Sequence, residues 1–337
     1  MDKRIGYAIA FIIALVAPFI VYPVFLMKAL CFALFASAFN LLLGYTGLLS
    51  FGHAAFFGTA GYIAGYALRS WGVPFELGIV LGMVTGAVLG VIIGGLAIRR
   101  LGIYFAMITL ALAQMIYFLC LQLPFTGGED GLQGVPRGRL FGILDLSNDM
   151  TMYYVVLAIF VAGFAMIVRA IHSPFGQVLQ AIKENEARAI SLGYDADRYK
   201  LLAFVLSAAL SGLAGATKTT VLGFETLTDV HWTMSGSVIL MTLLGGLGTV
   251  TGPVVGAFLI VSLENKLGDL GNWLAAVTGI EWFRTIGESV TIVTGLIFIV
   301  CVLAFRRGIV GELAERFRRR PPQSSSPTVS APVSEKV

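Results

Sequence analysis

Apolar residues fall in long runs over roughly 5–27, 29–43, 54–68, 75–98, 102–123, 151–170, 201–222, 237–262 and 285–305, with polar residues gathered between them. A helix of about 20 apolar residues crosses the hydrocarbon core of a bilayer. The pattern therefore predicts an all-α, polytopic membrane protein of eight to ten helices. About eight of them span, and one further membrane hairpin is broken by Gly and Pro. Composition strengthens this picture. Of 337 residues 57% are hydrophobic and only 12% charged, whereas a soluble domain carries about 25% charged residues. That balance excludes a soluble enzyme, a disordered chain and a nucleic-acid binder. The pI near 9.0 comes from basic residues that flank apolar runs, not from a basic patch.

Basic residues give each gap a side, because Lys and Arg are enriched in cytoplasmic loops. With Lys3 and Arg4 inside, successive crossings place Arg69 outside, Arg99 and Arg100 inside, the loop 124–150 outside and the segment 172–200 inside. The first run is longer than a signal-peptide core and lacks an A-x-A-like cleavage site, so it is expected to be a retained helix. The C-terminal arginines from Arg306 to Arg320 belong inside, which makes both termini cytoplasmic. Parity then requires 237–262 to be a broken hairpin whose ends share a side. Gly245-Gly246-Leu247-Gly248-Thr249-Val250-Thr251-Gly252-Pro253 supplies the break. Under this topology sixteen Lys/Arg face eight Asp/Glu inside, against six and eleven outside. Two domains follow. Residues 1–310 form the transmembrane domain. Residues 311–337 form a charged, then Pro/Ser-rich cytoplasmic tail, expected to be disordered.

Small residues recur at helical spacing. Gly82, Gly86, Gly90 and Gly94 share one face, as do Gly61 with Gly65, and Ser207, Ser211 with Gly215. Such faces let helix backbones approach where lipid supplies no hydrophobic drive. Cys31, Cys120 and Cys301 lie in apolar runs without metal or disulfide spacing and are expected to be small buried hydrophobes. Lys218, near the end of its run, is expected to snorkel.

Catalytic and nucleotide-binding motifs are missing: there is no G-x-x-x-x-G-K-[ST], H-E-x-x-H or G-x-S-x-G. His53, His172 and His231 stand apart, and no metal is expected. Four other features stand out. The first is the glycine-rich break Gly44, Tyr45, Gly47, Ser50, Gly52, His53 to Gly58. The second is the break carrying Gly245, Gly246, Gly248, Gly252 and Pro253. Paired broken segments at membrane depth line transport paths, although two surface turns would read the same. The third is the inside segment 173–193. Ser173 and Pro174 read as a helix start, Phe175 to Leu192 as a helix carrying Gly176, Lys183, Glu184, Glu186, Ala187 and Arg188, and Gly193 as its end. It could lie on lipid, be solvated or dock a soluble partner. The fourth is the outside turn Thr126, Gly127, Gly128, Glu129 and Asp130, by itself a turn-rich linker.

Several blocks resemble the permease subunits of ATP-binding-cassette importers for branched-chain amino acids. They are GYTGLLSFGHAAFFGTAGYIAG after Asn40, LGIYFAMITLALAQM from Leu101, TGGEDGLQGVP from Thr126, SPFGQVLQAIKENEARAISLGYDADRYKLLAFVLSAALSGLAGA from Ser173 and LLGGLGTVTGPVVGA from Leu243. The long outside loop resembles the LivM branch rather than the shorter LivH branch. The resemblance implies a multi-pass protein of the bacterial inner membrane and makes 173–193 a coupling helix. Glu186-Ala187 is followed by Gly193, one residue off the strict E-A-A-x-x-x-G spacing. It further implies two cytosolic ATPase subunits (LivG/LivF-like), a second permease (LivH-like), a periplasmic substrate-binding protein and contact with membrane lipid, but no nucleic acid. This chain would hold no cofactor; ATP and Mg would sit in the ATPase partners, so it would be no enzyme itself. Leu, Ile and Val are the implied cargo, with urea, short amides and aromatic acids as alternatives. An ion-driven transporter shares the broken helices, but the sequence offers it no ion site.

Overall fold

The computed structural model describes residues 11–100, 102–278, 295–296, 299 and 308–317. Lys3, Arg4, Cys301, most of the run 285–305 and the tail beyond Phe317 lie outside the described residues. The chain is an all-α membrane protein. Its helices are α1 (Pro23–Thr46), α2 (His53–Ser70), α3 (Phe75–Ala97), α4 (Ile103–Gln122), α5 (Asp149–His172), α6 (Pro174–Glu184), α7 (Glu186–Ser191), α8 (Ala196–Leu222), α9 (Leu227–Val230), α10 (Trp232–Gly245), α11 (Gly252–Thr278) and α12 (Gly308–Phe317). Among the described residues, α1, α3, α4, α5 and α8 are long and apolar enough to cross a membrane, and α10 is a shorter apolar helix.

The first boundary differs from the one expected. A helical segment at 11–16 ends in a 3-10 turn at Ala17–Phe19. Helix α1 then starts at Pro23, not after Lys28. Proline has no N–H to leave unpaired and its fixed φ suits the first helical position. Lys28 therefore sits one turn inside α1, its Nζ 5.9 Å from the Phe32 ring centroid. At the other end, α12 carries residues 308–317, so the tail begins as helix rather than as coil at 311.

Helices α1 and α8 are central and buried along most of their length, while α3, α4 and α5 expose more of theirs. Helix α8 packs against α3, α2 and α1. Helix α3 is built inside-out relative to a soluble helix. Gly78, Gly82, Gly86, Gly90 and Gly94 face inward, and Leu77, Val80, Val84, Val88 and Leu96 face outward. The glycine face meets α8: a Cβ on Gly86 would strike Ala208 O, and one on Gly90 would lie 2.7 Å from Ala208 Cβ. The aliphatic face suits lipid, and dispersion between close backbones holds the helix pair together.

Helices α10 and α11 pack as an antiparallel hairpin, as parity required. Hydrogen bonds sort the connections between two ends. At one end lie 173–193, the α1 terminus, the α10–α11 break and Gly308, which packs on Gly246. At the other, two short antiparallel pairs form: β1 (Leu132–Gln133) with β4 (Phe224–Glu225), and β2 (Arg139–Leu140) with β3 (Leu144–Asp145). The connections fall at the two ends in the grouping expected from the sequence.

The α3–α8 seam is directly testable. Gly86→Leu should destabilise the protein by about 1–3 kcal/mol or more through overpacking. Gly95→Leu, with open space around its Cβ, should be near neutral. Thermal unfolding in mild detergent, read by size-exclusion, separates the two.

Candidate functional site

The first break is real and lies inside the bundle. Helix α1 stops at Thr46, Gly47 adopts a left-handed φ of 76°, and α2 restarts at His53. The His53 ring lies 4.9 Å from that of Phe39, about two turns back from the α1 terminus. The chain thus re-enters the bundle in non-helical form. Its amides are met by hydroxyls. Thr46 Oγ1 accepts from Leu48 N at 3.3 Å, Thr109 Oγ1 from Phe51 N at 3.2 Å, Ser50 Oγ from Gly52 N at 3.1 Å and Ser235 Oγ from Ala54 N at 2.9 Å. His53 is fully buried among Phe39, Phe56 and Phe204, with Nε2 2.9 Å from Ser207 Oγ. Ser207 in turn donates to Ala38 O.

The second break is the stretch 246–251. One side chain secures it: Asn40 Oδ1 accepts from Gly248 N, and Asn40 Nδ2 donates to Thr249 O, both at 2.9 Å. Thr249 Oγ1 accepts from Gly252 N at 3.1 Å. Gly44 meets Gly248, where an added Cβ would lie 3.0 Å from Gly248 N. Gly245 and Gly252 touch backbone to backbone, and Pro253 follows in the first turn of α11. The structure therefore brings the two predicted breaks together. Tyr45 is buried beside them, and Gly58 packs on the backbone of Asp229 and Val230.

The inside segment is not one helix, as expected, but two. Asn185 interrupts it in extended conformation and caps α7, its Oδ1 accepting from Arg188 N at 3.0 Å. Ser173 stands at the N-cap of α6 ahead of Pro174, yet its hydroxyl turns back to donate to Ala170 O at 2.7 Å. Gly176 touches Ile171 O, so any side chain there would push α6 off α5. Phe175 stacks on Tyr199. Gly193 ends the segment at φ +91°, and Asp195 caps α8, as the pattern implied. Glu186 faces inward: Lys200 Nζ donates to its Oε1 at 2.5 Å, with Lys200 buried. Glu184, Ala187, Arg188, Ile190, Leu192 and Tyr194 line the open side, where Leu192 is 70% exposed. Lys183 reaches across to the first break, its Nζ donating to Gly44 O at 2.7 Å.

The outside turn is more ordered than a linker. Thr126 is buried and donates to Cys120 O at 2.5 Å. Gly127 and Gly128 take positive φ, and Gly131 abuts Glu225 O. Glu129 and Asp130 remain exposed.

A family model described as "Branched-chain amino acid transport system / permease component" matches residues 23–302. The chain belongs to this permease family. It is 26% identical over 263 residues to the high-affinity branched-chain amino acid transport system permease protein LivM of Salmonella typhimurium, covering 71% of this chain and 62% of that relative. It is 27% identical to the autoinducer 2 import system permease protein LsrC of Klebsiella pneumoniae, over 49% of each chain. It is 30% identical to the ribose import permease protein RbsC of Bacillus subtilis, over 48% of this chain and 51% of that one. The chain spans less than two thirds of the length of these relatives.

For this permease the sequence pattern missed one site. Lys218 does not snorkel. It is buried, with Nζ 2.5 Å from Asp229 Oδ2 and 3.2 Å from Glu225 Oε2. Thr219 donates to Glu225, and Thr226 donates to Asp229 through both its N–H, at 3.2 Å, and its hydroxyl, at 2.6 Å. Burial without pairing is prohibitive for an ammonium, so the lysine draws two carboxylates in from the segment beyond α8. The signal was a lone base near the end of an apolar run with acids seven and eleven residues on.

Removing the lysine leaves two buried carboxylates without their counter-charge. Lys218→Met should cost about 3–5 kcal/mol. Lys218→Met combined with Glu225→Gln and Asp229→Asn should recover most of that loss. Denaturant unfolding in detergent would measure both.

Proposed function

We propose that this chain is one membrane-spanning subunit of an ATP-driven, binding-protein-dependent importer in a bacterial inner membrane. It would carry branched-chain amino acids along a path lined by the two breaks. The observation that carries this reading is Lys183 joining the inside segment to Gly44. That bond runs directly from the surface suited to a cytosolic partner to the junction of both breaks. ATP and Mg would be bound and the ATP hydrolysed in two partner ATPase subunits, and this chain would hold no nucleotide. A second permease would complete the path, and a periplasmic binding protein would deliver cargo to the outer end, where Glu129 and Asp130 are exposed.

In this mechanism the ATPase subunits grip α7 and the turn after it through Ile190, Leu192 and Tyr194. A short α7 clamped by the Glu186–Lys200 pair moves as a unit with the first turn of α8. Lys183 carries that displacement to Gly44, and Asn40, one turn away, carries it to the second break. ATP shifts the equilibrium between outward and inward access only as far as the ATPase pair binds the two forms differently. Leu, Ile and Val fit the name of the LivM relatives. The ribose and autoinducer 2 relatives make other small solutes the competing cargo.

Two variants test docking and transmission separately. Leu192→Asp with Ile190→Asp should lower the ATPase co-purifying with the tagged chain about tenfold or more, as removal of an interface anchor does. Lys183→Met should leave that co-purification intact, yet cut ATP-dependent uptake of radiolabelled leucine in proteoliposomes several-fold. Uptake by the purified chain alone, without ATP, would overturn the importer reading.

A further inference from the structure

The outside loop holds a hairpin whose polarity runs along its axis. At its base Arg139 pairs in register with Asp145, and both are exposed. Ser147 donates its N–H to Asp145 Oδ1 at 3.0 Å, which holds that carboxyl below its ordinary range and keeps the base charged. Leu140 and Leu146 tuck back against the core beside α5 and α3. At the tip the pattern reverses: Phe141 is 76% exposed and Ile143 85%. The turn closes with Ile143 N donating to Leu140 O at 3.0 Å, and Phe141 sits at φ 50°, a conformation costly for a bulky residue. Bare water gives no reason to hold a phenyl ring and a branched aliphatic outward on a strained turn.

The height of the tip is set by a hydrogen bond. Phe141 N donates to the Glu76 carboxylate, one residue before Leu77, where the outward aliphatic face of α3 begins. Trp71, 64% exposed, lies in the turn that leads to α3. Exposed Trp is enriched at membrane–water interfaces. The tip is therefore continuous with the lipid-facing surface of α3 at its outer edge. We propose that Phe141 and Ile143 insert into the outer leaflet, anchoring the outside loop to the lipid surface with the Arg139–Asp145 base left in water.

The test reads depth, not transport. Ile143→Cys carries an environment-sensitive nitrobenzoxadiazole label in the full chain, reconstituted in nanodiscs with phosphatidylcholine spin-labelled near the top of the acyl chain. Asp130→Cys is the control in the same loop, and signal from the labelled parent protein is subtracted. The label at 143 should be quenched several-fold more than the label at 130, and iodide added to the buffer should quench it less. Adding Phe141→Asp should return the label at 143 towards the behaviour of the control. Equal iodide quenching at both positions would overturn the proposal. So would lipid quenching that survives Phe141→Asp, because the label rather than the hairpin would then be seeking lipid. Protection from both quenchers would also overturn it, by assigning the tip to a protein partner.

Discussion

Backbone that leaves the helix inside a bilayer must find its hydrogen bonds within the protein, because hydrocarbon offers none. Two stretches of this chain do so within one small region, and the solution shapes what surrounds them. The first break is met by hydroxyls on Thr46, Ser50, Thr109 and Ser235. The second is met by the two ends of one amide, Asn40. These side chains come from the chain of the breaks themselves and from α1, α4 and α10. Satisfying the broken backbone is therefore also what ties the elements to one another. A hydroxyl or amide oxygen can exchange one backbone N–H for another at little net cost. The junction of the breaks is thus held firmly without being locked.

Around that junction the packing follows from the same solvent. Lipid gives apolar side chains no reason to turn inward, so α3 puts its branched residues outside and its glycines against α8. Helix α8 answers with small residues of its own. Gly212 meets Gly86, and Gly215 meets the Phe57 carbonyl so closely that no side chain fits there. With backbones this close, α8 becomes the hub to which α1, α2 and α3 are all fitted. It carries Ser207 towards His53 and Lys218 towards the outer segment.

How much of this the residues announce depends on how local the cause is. The apolar runs, the two breaks, the hairpin parity, the cap at Asp195 and the stop at Gly193 all rest on one stretch of chain and its solvent. Each is visible in the residues themselves. What escaped was decided by a choice between local signals or by distant partners. Pro23 outcompeted Lys28 as the start of α1, because a proline at the first helical turn leaves no orphan donor whereas a lysine tolerates a helix well. Asn185 split the inside helix because its side chain offers the backbone an alternative to continuing, which an averaged apolar stripe conceals. Lys218 looked like a snorkelling residue because its partners lie on a strand and a short helix that hydropathy does not register. The meeting of Gly44 with Gly248 joins positions some two hundred residues apart, and no local pattern encodes it.

The two ends of the bundle are tied by bonds of different kinds, and this difference bears on where an importer of this build would give way. At the outer end Lys218 holds Glu225 and Asp229 in a buried group, and withdrawing the lysine would strand two buried carboxylates. The segment 224–230, and β1 paired with it, are pinned accordingly. At the inner end, among the described residues, a lysine ammonium on the Gly44 carbonyl and the Asn40 amide on the second break link α6 to the junction. An exposed or half-exposed ammonium can exchange a carbonyl for water at a small fraction of the cost of separating a buried ion group. A push delivered to α6–α7 therefore meets its least resistance at Gly44 and Gly248, where both broken segments converge. On the importer reading the inner end is the moving part, and the outer collar is the frame against which it moves.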